Sequence, residues 1–259
     1  MACLILVILM SLRGFNTNKG TVETSNKQSS GEFDIPGLIE AQEEKLENPL
    51  KNYLGSIQNS YKELNTDKQN PYLFYIARFW DSVGYPFAAG YYYEKMAVAE
   101  PGPVSFQRAA DAFFIAASDQ PDSVYRNLFF DEAIKNYKKV LELDASVLSA
   151  KTRLGICYAE VSEAPMQGIS LLREVVTADS NNVEAIFALG ILSVRSNQYD
   201  KALQRFEKLV SLQPLNPDYH FQVGDVFRLM GSKDKALENY NKAMALSKDE
   251  NFKKELSNI

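Results

Sequence analysis

The chain is poor in the residues that most often carry chemistry. It has a single histidine, His220, and two cysteines, Cys3 and Cys157, in 259 residues. One imidazole leaves a histidine-rich metal cluster or a histidine-based proton relay almost no material. Two distant thiols cannot make a disulfide framework, and neither sits in the CxxC spacing of a zinc or redox site. Basic charge is also scarce: 28 Lys and Arg stand against 33 Asp and Glu, a net charge of −5. No basic field is therefore available to grip a phosphate backbone, and no nucleic-acid partner is expected. Glycine-rich phosphate loops, HExxH, GxSxG and paired catalytic carboxylates are all missing. These absences predict a protein that is not an enzyme and needs no cofactor or metal.

Hydrophobic residues make up 46% of the chain, enough for a sizeable core. One apolar run stands apart. Ala2–Met10 is unbroken and extends past Ser11 to Leu12, stopping at Arg13. It is shorter than the roughly 20 residues that cross a bilayer as a helix, and no positive charge precedes it as in a signal peptide. Residues 1–12 are read as an anchor or signal-like segment that attaches the chain to a membrane, with its upstream part outside this sequence. The side of the membrane is not specified, and a cytoplasmic location is the alternative. Residues 13–37, polar and rich in Asn, Thr, Ser, Lys and Gly, read as a flexible linker. In residues 38–69, Pro49 suits the first turn of a helix, and Leu50, Leu54, Ile57, Tyr61 and Leu64 fall on one helical face. This stripe predicts N-terminal cap helices.

The rest of the chain repeats itself. Val183–Asn216 recurs 34 residues later as Pro217–Glu250, so that Gly190 falls on Gly224, Ala202 on Ala236, Phe206 on Tyr240 and Leu212 on Leu246. A period of this length marks stacked units that bury their apolar faces only against their neighbours. Small residues such as Gly190 and Ala202 belong where two antiparallel helices cross, and the aromatic positions fill the space beside the crossing. Pro101 and Pro214 stop the second helix of their units. The aromatic cluster Tyr72, Phe74, Tyr75, Phe79, Trp80 and Tyr91–Tyr93 has helical spacing without interleaved basic residues, which favours packing over base stacking. Cys157, between Ile156 and Tyr158, reads as a small packing residue.

The sequence of Ile186, Leu189, Gly190, Ala202, Phe206 and Pro214 resembles the tetratricopeptide repeat. So do Val223, Gly224, Phe227, Gly231, Ala236, Tyr240 and Ala243, and, earlier, Ile76, Ala77, Trp80, Gly84, Ala89, Tyr93 and Pro101. Leu154, Gly155, Tyr158, Gly168 and Leu172 match with Pro165 in an extended turn. Ala133, Tyr137, Val140 and Leu143 give a second helix separated from 104–118 by a surplus of roughly ten residues at Asp119–Phe129. The resemblance implies an all-α, right-handed α-solenoid of four helix-turn-helix repeats over 70–250. Its segments are 70–103, 104–147 (irregular), 148–182, 183–216 and 217–250, followed by a tail at 251–259.

Such a fold implies a scaffold for a protein or peptide partner, bound in a concave groove lined by the first helices. The resemblance assigns to that groove Thr152, Ile156, Phe187, Ile191, Val194, Phe221, Asp225 and Arg228, with Phe74 and Arg78 in the first unit. The Lys and Asn that clamp a terminal carboxylate in one branch of the family are not present at these positions. The expected groove is an apolar strip flanked by one Asp and one Arg, suited to an amphipathic helix or an apolar peptide. Its other expected occupants are a cap helix or the chain's own tail. His220 falls where the family packs a side chain between helices. An accessory or substrate-binding role in envelope biogenesis, such as cytochrome maturation, is the alternative function.

Overall fold

The computed structural model describes residues 34–63, 70–161 and 165–256. The expected anchor, most of the linker, Leu64 of the cap stripe and the last three residues of the tail lie outside these. The fold class is the expected all-α, right-handed α-solenoid of helix pairs. Among the described residues there are thirteen helices. They are α1 (Ile35–Lys45), α2 (Asn48–Lys62), α3 (Asn70–Ser82), α4 (Pro86–Ala99), α5 (Pro103–Ser118), α6 (Ser123–Leu143) and α7 (Leu148–Glu160). After these come α8 (Pro165–Ala178), α9 (Val183–Arg195), α10 (Tyr199–Leu212), α11 (Pro217–Leu229), α12 (Lys233–Leu246) and α13 (Glu250–Leu256). The described residues form two compact units that divide between Cys157 and Tyr158.

Four boundaries differ from the sequence reading. Five helix pairs, α3/α4 through α11/α12, fill the five segments, so the repeat count is five and not four. The surplus at Asp119–Phe129 is not a loop. Asp122 caps Val124 through its carboxylate, and α6 starts at Ser123 to run 21 residues, absorbing most of the surplus as extra helix. Pro165 opens α8 instead of lying in a turn, as its fixed φ and missing N–H allow in a first helical turn. The linker ends early as well. Asp34 accepts a hydrogen bond from the Gly37 N–H at 2.8 Å, and Pro36 sits in the first turn, so α1 begins at Ile35.

Within the first unit, each helix from α2 to α5 packs on the next, and α1 rests on α4. The cap stripe is real but uneven: Leu54 is buried, Ile57 and Tyr61 are partly covered, and Leu50 is exposed. Trp80, Phe113, Phe114, Phe129 and Tyr137 fill the interior. The phenyl rings of Phe87 and Phe129 stack with centroids 5.2 Å apart. Most of the aromatic cluster is packing, as expected, although Tyr75 remains 55% exposed.

The second unit shows why the repeat needs its small residues. A Cβ added at Gly190 would lie 2.6 Å from the Phe206 ring, and one at Gly224 would lie 2.7 Å from Tyr240. Ala202 and Ala236, on the opposing helices, are buried. The turn inside the pair is equally specific. Gly84, Asn197 and Gly231 take positive φ at the same place in three units. The next residue in each, Tyr85, Gln198 or Ser232, donates its N–H to a carbonyl five residues back at 2.8–3.0 Å. This is the left-handed cap that closes a helix end, and Asn tolerates that region better than most residues with a side chain. Pro101 and Pro214 each lie two residues beyond the second helix, as expected.

These close approaches predict opposite effects for one substitution at two glycines. Gly190→Ala should lose about 1–3 kcal/mol through overpacking against Phe206. Gly55→Ala, in α2 with nothing within 4 Å of the new methyl, should gain about 0.5–1 kcal/mol from helix propensity. Denaturant unfolding of the two variants, followed by circular dichroism, measures both; equal midpoints would contradict the packing described.

Candidate functional site

The residues assigned to the groove separate into two classes. Thr152, Ile156, Phe187, Ile191 and Phe221 are buried. Thr152 turns its hydroxyl inward to the Leu148 carbonyl at 2.9 Å. Phe187 makes ring contacts with Phe206 and with Tyr219 of the next first helix, at 5.8 and 6.2 Å between centroids. Phe221 contacts Tyr240 and Phe252 at 5.7 and 5.9 Å, and Leu256 joins the same cluster. The expectation of an exposed apolar strip at these five positions is therefore corrected. In the second unit the reason is visible, since the following first helix, or α13 after the last pair, packs onto the fifth position of the unit. The tail does cover Phe221, in the role that Tyr219 plays for Phe187. The accessible members of the set are Val194 and Asp225, partly covered, and Arg228, exposed.

Asp225 and Arg228 belong to a closed polar triangle with Tyr240. The phenol donates to Asp225 Oδ1 at 2.7 Å and accepts from Arg228 Nε at 3.1 Å. Arg228 also reaches Asp225 Oδ1 through Nε at 3.2 Å and Nη2 at 3.1 Å. Burial and the neighbouring carboxylate push the Tyr240 phenol up to about 12, so it stays a proton donor at any ordinary pH.

The tyrosine–aspartate bond of this triangle recurs twice in the first unit. Tyr93 donates to Asp81 Oδ2 at 2.9 Å, and its phenol is pushed up to about 12 by burial and by Asp81. Tyr137, fully buried, donates to Asp111 Oδ1 at 2.6 Å, and Arg153 Nη1 meets the same oxygen at 2.5 Å. Here burial, then Asp111, raises the phenol well above its usual range. In each case a tyrosine on the second helix of a pair fixes a carboxylate on the first, and a guanidinium lies beside it. Arg78 supplies the positive charge felt by Asp81.

The sequence reading found Arg78, Asp225 and Arg228 but missed Asp81, Asp111 and Arg153. A signal was present. Where the second-helix position holds Tyr93, Tyr137 or Tyr240, its first helix carries a suitably placed Asp. Where it holds Leu172 or Phe206, the ninth position of the unit is Ile156 or Ile191. His220 meets its expectation: it is buried, and Nε2–H donates to the Pro214 carbonyl at 2.9 Å. Cys157 is likewise buried. No group of three or more His, Cys, Asp or Glu able to hold a metal occurs among the described residues.

Comparison with known proteins places this geometry. Residues 187–251 match the model of the tetratricopeptide repeat. Superkiller protein 3 of Schizosaccharomyces pombe is 25% identical over 125 residues, which is 46% of this chain but only 9% of that protein. Among solved structures, MamA from Desulfovibrio magneticus RS-1 superposes with a TM-score of 0.55 at 21% identity, over 69% of this chain and 95% of that one. YrrB, described as a TPR protein with an unusual peptide-binding site, gives 0.51 at 18% identity, over 78% and 98%. At such identities the likeness concerns the fold. The family match thus covers residues 187–251, and the likeness of the longer stretch to these solved structures is one of fold.

Proposed function

We propose that this protein is a non-enzymatic scaffold that holds partner proteins through peptide segments laid along its first helices. The observation that carries this reading is the recurrent carboxylate–phenol–guanidinium arrangement. In three of the five pairs a buried tyrosine on the second helix holds a carboxylate of the first. Of these, the Asp225–Arg228 pair is half exposed, and such a pair contributes only about 0–1 kcal/mol to stability, so folding alone gives little reason for it. Rigid charged groups with free edges do suit recognition of a peptide, because their order is established before the partner arrives. YrrB, similar in fold, is described as having a peptide-binding site, which agrees with this reading.

Within the assigned groove set, contact then falls to Val194, Asp225 and Arg228, while Thr152, Ile156, Phe187, Ile191 and Phe221 hold the helices in place. Phe187→Asp should lower stability by about 3–5 kcal/mol, since it buries an unpaired charge among rings. Arg228→Glu, at a side chain 51% exposed, should change it by no more than about 1 kcal/mol. Affinity capture with the full chain, read by mass spectrometry beside a thermal melt, checks the division. Folded Arg228→Glu protein should lose partners that the parent retains, and full retention would remove this part of the first-helix surface from the binding role.

We also propose that residues 2–12 attach the scaffold to a membrane. The support is the apolar run Ala2–Met10, too costly to leave in water without a partner. No helix among the described residues is long and apolar enough to cross a membrane, so attachment rests on that segment. In vesicle flotation, the full chain should rise with the lipid and a version starting at Gly14 should stay below. Identical behaviour of the two would refute the attachment.

A further inference from the structure

The helix α13 is shorter than the seat it occupies. It has 7 residues, about 10 Å of helix, whereas α11, which covers the preceding pair, has 13 and spans about 20 Å. Its apolar anchors are Phe252 and Leu256, one turn apart. Phe252 lies on Phe221 at 5.9 Å between centroids, and Leu256 joins Tyr240 and Ala243 in the same cluster. Further along α11, Phe227 packs against that cluster but is only partly buried, with the Lys235 ammonium 5.2 Å from its ring centroid. The apolar seat therefore continues toward Phe227. Isolated helices below about 12–15 residues are marginal in water, so α13 keeps its form only while docked. Its start is supplied locally. Asp249 accepts from the N–H groups of Asn251 at 2.9 Å and Phe252 at 3.3 Å, and its own N–H donates to Ser247 Oγ at 3.0 Å. A segment capped from within its own connection can leave and re-form as a unit.

We infer that the face of α11 and α12 beneath α13 is a docking site for an amphipathic helix of a partner protein, with α13 as its displaceable resident. The resident shows what the site takes: an aromatic residue over Phe221 and a leucine one turn later. A longer partner helix would add a further apolar residue over Phe227, which α13 is too short to supply. The tether sets the threshold for entry. Only residues 247–249 join α12 to α13, so α13 competes at an effective concentration on the order of millimolar, and displacement needs the additional Phe227 contact. This apolar site adds to the charged first-helix surface and rests on the scaffold reading for its partner.

The test uses the full chain, its Phe252→Ser/Leu256→Ser variant, and two fluorescent alanine-based peptides of equal composition. One peptide places Phe, Leu and Leu on successive turns of one helical face, and the other scatters them. Binding is read by anisotropy. The variant should bind the one-faced peptide on the order of tenfold more tightly than the parent does, with no such gain for the scattered peptide. Phe227→Ala added to the variant should remove most of that gain. Amide hydrogen exchange of the parent, which needs no variant, should be on the order of a hundredfold faster in α13 than in α11. Exchange in α13 as slow as in α11, or a variant that loses the helicity of α11 and α12, would make α13 ordinary core and overturn the site. Equal binding of the two peptides would overturn it as well. A dimer that forms in the parent and is lost in the variant would overturn it in favour of α13 exchanged between two copies. Peptide binding that fails while partner capture still depends on Arg228 would sink this inference and leave the scaffold reading standing.

Discussion

The close approach of paired helices at a residue without a side chain is the constraint on which the repeats depend. In the second unit Gly190 lies beneath Phe206 and Gly224 beneath Tyr240, with no room for a methyl group at either. Apolar area alone would pack these helices in several ways, because burial is nearly indifferent to direction. A ring lying on a backbone admits few positions. It fixes the separation of the helices and the height of the ring along the first helix. From there the tyrosine version gains an ability that phenylalanine lacks: its hydroxyl emerges beside the ninth residue of the first helix, where Asp225 accepts it at 2.7 Å. The polar site thus follows from the packing requirement, with one oxygen atom added.

That relation explains why the apolar assignments and the charged ones parted company. Stacked units hide their large side chains against the next unit, and Phe187 and Phe221 are used in this way. The surface left over consists of what cannot be buried cheaply. Carboxylates and guanidinium groups stay at the edge and are held there by buried tyrosines. Under the proposed scaffold role such a surface would discriminate by charge pattern first and by shape second. That favours selection among partners over raw affinity.

Much of the fold was legible because the repeat is written at full length in Val183–Glu250. Small, aromatic and turn residues recur there at one period, and both local turn chemistry and packing agree with it. The α6 extension was not legible, since a capping Asp122 followed by Ser123 and Val124 reads equally well as a loop until the helix beyond is known to continue backwards. Pro165 was ambiguous for the same reason, as proline suits both turns and first helical turns. The site was legible only in part. Arg228 and Asp225 were found, whereas Asp81 directly follows Trp80 and Arg153 precedes Leu154, apolar neighbours that drew attention first, and position within a unit does not state burial. The pairing of Asp with Tyr, and of Ile with Leu or Phe, was visible in the letters. It acquires meaning only when the two positions are known to face each other across a helix pair.

The distribution of these pairs carries one more implication. The three polar arrangements fall in the pairs α3/α4, α5/α6 and α11/α12, and the apolar versions fall in the two segments between them in sequence. Polar pairs would be a poor choice for stability alone, because each replaces a dry contact with groups that must stay satisfied. Their placement in the first two pairs and the last, instead of evenly along the repeat, fits the recognition role proposed above. Ile156 and Ile191, in the middle segments, are buried. The choice between tyrosine and an apolar residue on the second helix goes with whether its first helix carries a bonded Asp, at the twelfth residue of α3 and the ninth of α5 and α11.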